Sequence, residues 1–66
     1  MAKAMHADEF NRIMAKLGLT QGQMAELLGK SIRAVHGYAN GADIPILVAR
    51  FLRVVVKHDI DISSIR

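Results

Sequence analysis

Cysteine is missing from the 66 residues of this chain. That excludes disulfides and thiolate metal sites, and it leaves the redox compartment open. No apolar run approaches the roughly 20 residues of a membrane-spanning helix. The start, Met1-Ala-Lys-Ala-Met-His6, is too short and too weakly apolar for a signal peptide. A cytoplasmic protein with no membrane contact is therefore expected. A Gly-rich phosphate loop is absent, and His6, His36 and His58 lack metal-ligand spacing. The carboxylates Asp8, Glu9, Glu26, Asp43, Asp59 and Asp61 form no evident pair. Neither catalysis, a cofactor nor a small-molecule ligand is expected from such a pattern. Repeats, low-complexity tracts and internal linkers are also absent. Acidic residues are few, six against nine Lys and Arg, for a net charge of +3. This mildly basic balance favours polyanions without requiring one. The apolar fraction, 52%, argues against disorder and exceeds what one small core needs. Some apolar surface is thus expected to meet a partner.

The most informative stretch is Gln21 to Gly41, QGQMAELLGKSIRAVHGYANG. Thr20 and Gln23 have the spacing of a capping box, which opens a helix. Met24, Ala25, Leu27 and Leu28 follow as its apolar face, and Gly29 stops it. Ser31 suits the N-cap of a second helix, with Val35 and Tyr38 inward and Asn40-Gly41 at its end. Two short capped helices around a Gly-containing turn have the layout of a helix-turn-helix. Ala25 is small where two crossing helices would touch.

Elsewhere, residues 1–5 read as a flexible arm carrying Lys3, and residues 6–66 as one domain. A first helix is expected from about Ala7 to Leu17, with Asp8 and Glu9 in its first turn. Its apolar stripe is Phe10, Ile13, Met14 and Leu17; Gly18 ends it, and Leu19 is placed to staple against Met24. Pro45 suits the first turn of another helix running to about Lys57, with Val48, Phe51, Leu52 and Val55 inward. Val54-Val-Val56 is β-branched, so a strand competes there; the helical apolar spacing before it favours helix. Asp61 is placed to cap a last turn through Ile65.

Several residues carry a resemblance. They are Leu17-Gly-Leu-Thr-Gln21, Met24-Ala-Glu-Leu-Leu-Gly29, Ser31, Val35, Tyr38 and Asn40-Gly41. As a set they resemble the phage repressor and Cro helix-turn-helix family, the lambda-repressor-like or XRE class, from about Phe10 to Phe51. The resemblance implies an all-α, lambda-repressor-like bundle of four to five short helices. It implies a phage or bacterial transcriptional regulator that binds double-stranded DNA. The second helix of the motif would lie in the major groove of an inverted-repeat operator. Two positions depart from the family pattern. Lys30 replaces an apolar residue, and Gly37 replaces a polar or basic one.

Carried over by position, the base-reading side chains are Ile32, Arg33 and Gly37, with Ser31 and His36 adjacent. Arg33 can donate two bonds to a guanine, or one to a phosphate. Ile32 can pack on a thymine methyl or belong partly to the core. His36 can donate to a base or phosphate, better when protonated, or be merely solvated. Gly37 either lets DNA approach or is neutral. Gln21, Lys30 and Asn40 are the expected phosphate partners, with Tyr38 at the edge of the interface or in the core. Arg50, Arg53 and Lys57 form a basic stripe that is a solvated face, a flanking DNA contact or a dimer rim.

One such module covers little DNA, so a homodimer is expected. Its interface would use the apolar surplus after Pro45: Ile46, Leu47, Val54, Val56, Ile60, Ile62 and Ile65. A repressor, often autoregulatory, is the expectation. The alternative is a protein-interaction module, antitoxin-like or an adaptor, that uses this apolar surface and binds DNA little.

Overall fold

In a computed structural model, which describes residues 3–58, the chain forms four α-helices and, among those residues, no strand. They are α1 (Ala7–Leu17), α2 (Gln21–Leu28), α3 (Ile32–Ala39) and α4 (Ile46–Lys57). The turn expected over Asp61–Ile65 lies outside the described residues.

Local chemistry sets each boundary. The capping box at α2 is complete: Gln23 N–H donates to Thr20 Oγ1 at 3.2 Å, and Thr20 N–H donates to Gln23 Oε1 at 2.9 Å. Ser31 Oγ accepts from Ala34 N–H at 3.1 Å and starts α3. Caps of this kind contribute about 1 kcal/mol each. Helix α2 ends at Gly29, whose φ of 66° lies in the left-handed region. That geometry lets Lys30 N–H reach back to Ala25 O at 3.0 Å and Gly29 N–H to Glu26 O, satisfying two terminal carbonyls. An L side chain at Gly29 would be strained. Pro45 sits just before α4 as its N-cap rather than inside its first turn, and its carbonyl accepts from Ala49. The β-branched Val54-Val-Val56 is helical, as the preceding apolar spacing requires.

One apolar core joins the four helices. Phe10, Met24, Val35, Leu52 and Val55 are essentially inaccessible. Phe10 and Tyr38 meet edge to face, ring centroids 5.8 Å apart at 74°, a geometry favoured by the ring quadrupoles. Ala49, which the expected stripe of α4 omits, is fully buried, whereas Phe51 is only half-buried. No polar or charged residue is buried among the described residues, so every charged side chain there reaches the surface.

The segment before α1 departs from expectation. Met5 is 1% exposed and belongs to the core. Lys3 Nζ donates to Gly41 O at 2.7 Å, and Arg53 Nη2 donates to Ala4 O at 2.7 Å. Residues 3–5 are therefore packed, not a free arm, and the folded unit begins before residue 6. Burial of the Met5 side chain, with the two hydrogen bonds, opposes the segment's loss of freedom.

Candidate nucleic-acid interface

The turn between α2 and α3 brings the start of α2 against the outer side of α3. Gln21 Oε1 lies 3.4 Å from His36 Nδ1. A Cβ on Gly22 would meet Ile32 Cδ1 at 3.8 Å. Gln21, Ile32 and His36 are thus neighbours although 11 to 15 residues separate them. Arg33, one turn before His36, shares that outer side. Ile32, Arg33 and His36 are all exposed, as are Lys30 and Ser31 in the turn. Ile32 is 59% exposed, so it is not a core residue. Neither α2 nor α3 has an acid in its first turn. With Nδ1 protonated, His36 donates to Gln21 and leaves Nε2 pointing away from that bond. The result is a surface of two cations, Lys30 and Arg33, and the His36 ring around one exposed isoleucine.

Two of the expected contacts fall elsewhere. Tyr38 is only 8% exposed, and its ring packs on Phe10. The apolar ring is worth more in the core than at a solvated edge, so Tyr38 supports α3 from behind rather than presenting a face to a ligand. Gly37 is half-buried, not on the open outer face. A Cβ there would stand 3.4 Å from Ala42 Cβ, and the Gly37 carbonyl accepts from Ala42 N–H at 2.8 Å. The position lies beneath the loop that follows α3.

The end of α3 is held by groups from other parts of the chain. Asn40 Nδ2 donates to His36 O at 2.7 Å. Asn11 Nδ2, on α1, donates to Ala39 O at 2.9 Å. Lys3 adds a cation beside Gly41 O, where the helix dipole is negative. These bonds satisfy carbonyls that a helix end leaves open and set the pose of α3. Asn11 is a positioning residue with no local signal in the sequence, because its partner is 28 residues away.

The basic stripe of α4 divides. Arg53 makes a two-pronged pair with Glu9, Nε to Oε2 and Nη2 to Oε1, both at 2.9 Å. The hydrogen bond to Arg53 holds the Glu9 carboxyl below its usual range, and the same bond raises Arg53. Arg53 therefore joins α1, α4 and Ala4 and is committed within the chain. Arg50 and Lys57 remain exposed.

The expected dimer residues also divide. Ile46 is 55% exposed, Leu47 74% and Val54 47%. Val56 is half-buried against the core, which removes it from an outward face. Ile60, Ile62 and Ile65 lie outside the described residues. Between the end of α2 and the first half of α4 runs an open groove of about 490 Å³, lined by Leu27, Leu28, Lys30, Pro45, Ile46, Leu47, Val48 and Phe51.

No group of His, Cys, Asp and Glu among the described residues is arranged to hold a metal ion. No helix among them is long and apolar enough to cross a membrane. No protein-family description, no curated protein and no solved structure matches this chain.

Proposed function

We propose that this chain is a sequence-specific DNA-binding transcriptional regulator of the lambda-repressor-like helix-turn-helix class, acting as a homodimer. The observation that carries this is the meeting of Gln21 with His36 at 3.4 Å on the outer side of α3. It brings the start of α2 to the side of α3 on which Ile32, Arg33 and His36 are exposed, with Lys30 and Ser31 in the turn. In this arrangement α3 enters the major groove, Arg33 donates to guanine O6 and N7, and Ile32 packs on a thymine methyl. Gln21 and Lys30 hold phosphates, as does Nε2 of His36 when both ring nitrogens carry protons, and these contacts fix register without reading sequence. The protein works by occupying an operator, with no catalysis, in a bacterial cell or a phage-infected one. Because a dimer must assemble to fill the operator, its occupancy follows its own concentration, which suits repression of its own operon.

A second reading draws on Ile46, Leu47 and the groove beside them. Exposed apolar surface of this kind also serves a protein-interaction module that binds DNA weakly.

Selection from a random duplex library, followed by fluorescence anisotropy at two salt concentrations, separates the two. An enriched inverted repeat, bound with a steep salt slope and far more tightly than scrambled DNA, supports the regulator. Absence of an enriched sequence, with only weak salt-sensitive binding, overturns it in favour of the interaction module.

A further inference from the structure

We propose that the groove between α2 and α4 receives residues 59–62 of a second copy of this chain. The inference deepens the homodimer part of the proposed function. Leu47, Phe51 and Val54 follow one another at helical spacing, so they form one stripe along α4, continuous with the groove at Leu47 and Phe51. Leu47 and Val54 are exposed and Phe51 is half-buried. Paired antiparallel across a two-fold axis near Phe51, two such stripes set Leu47 of each copy against Val54 of the other. The same pairing brings the C-terminal end of each α4 beside Pro45 of the other, at the mouth of its groove. Four residues of extended chain, from His58 to Ile62, reach about 14 Å, enough to enter it.

The sequence of that segment matches the groove. Asp59-Ile-Asp-Ile62 alternates acid and isoleucine. The groove is apolar with Lys30 in its lining. The first turn of α4 has no acidic residue, and its N-cap makes no side-chain hydrogen bond. Isoleucines therefore meet Leu27, Leu28 and Ile46, while the carboxylates meet Lys30 and a helix end of positive dipole. Docking within one chain requires the segment to run back along most of α4, whereas docking between copies requires it only to turn into a groove whose mouth lies beside the end of α4.

The absence of cysteine makes the test direct. Full-length chains carrying Leu47→Cys or Ile62→Cys are mixed under oxidising glutathione and resolved by mass spectrometry. The expected result is a disulfide between the two different chains, in excess over either self-pair. In light scattering, the parent chain is expected at twice its 7.3 kDa. Leu47→Asp and Ile62→Asp each are expected to raise the dimer dissociation constant tenfold or more. Leu47 is 74% exposed, so its variant should keep the parent Tm at concentrations where both are monomeric. A parent at 7.3 kDa overturns the proposal, as does a dimer indifferent to both aspartates. A Leu47→Cys/Ile62→Cys double variant that closes on itself as a monomer also overturns it. Failure of the DNA reading looks different: the dimer forms and cross-links, but library selection enriches no sequence.

Discussion

Helices α3 and α4 bury similar faces, but their first turns expose different ones. Inward, α3 presents Val35 and Tyr38, and α4 presents Val48, Leu52 and Val55. Outward, α3 shows Arg33 and His36 with a single isoleucine at its start, whereas the first turn of α4 shows Ile46 and Leu47 and its later turns show Arg50 and Lys57. Burial made both helices amphipathic, but it placed no demand on their outer residues. A cationic outer face gains from a polyanion by releasing counterions, while an apolar one gains by leaving water. On the function proposed here, DNA would meet the α3 surface and a second copy the apolar start of α4. Their supports also differ. The end of α3 is pinned by Asn11, Asn40 and Lys3, and α4 is tied by Arg53 to Glu9 and Ala4.

The strongest way to break this contrast is to remove what both faces stand on. Phe10→Ala empties the core beneath α3 and α4 and should lose about 3–5 kcal/mol. A chain of this size has roughly 3–10 kcal/mol in total, so urea unfolding should find most of its stability gone and both faces with it. Arg33→Ala tests one face alone. It should lose about 1–3 kcal/mol of DNA affinity and relax selectivity at one base position. Gln21→Ala should instead weaken binding about equally on all sequences. Neither change should alter dimer mass, which light scattering checks.

Gly37→Ala sharpens the boundary of the α3 face. Helical alanine is favoured over glycine by up to about 1 kcal/mol, and the added Cβ meets only Ala42 Cβ, at 3.4 Å. Tm should rise by a few degrees with DNA affinity unchanged; a loss of affinity would return Gly37 to the interface. The smallest effect is expected at the tie of α4. Glu9 is held below its usual carboxylate range by Arg53, so its pair with Arg53 stabilises the fold above the ordinary glutamate pKa. That contribution disappears as pH falls through the lowered folded value. Glu9→Gln should lower Tm slightly at neutral pH, less in high salt, and the gap from the parent should close in acid.

The helices themselves were legible in the chain. Thr20, Gln23, Ser31 and Gly29 act on neighbours three to five residues away, so α2 and α3 begin and end where those residues stand. The outward position of Arg33 and His36 follows from helical periodicity. Tyr38 was ambiguous, because an aromatic with a polar tip suits an edge as well as a core. The sequence alone assigns Met5 to an arm, since a lone methionine outside any periodic stretch carries no packing signal. Gly37 was placed on the outer face by its angle around α3, and the returning loop that covers it has no mark in the sequence.

Residues close in sequence thus settled the four helices, their caps and the apolar stripe each one buries, because those depend on backbone hydrogen bonds and periodicity within a few residues. Folding alone brought Lys3 to Gly41, Asn11 to Ala39 and Arg53 to Glu9, pairs 38, 28 and 44 positions apart. Such meetings depend on how whole helices pack, which sets distances that no local pattern encodes. Among the described residues, packing also decided which surplus apolar side chains stay outside, half-burying Val56 against the core and leaving Ile46, Leu47 and Val54 in water.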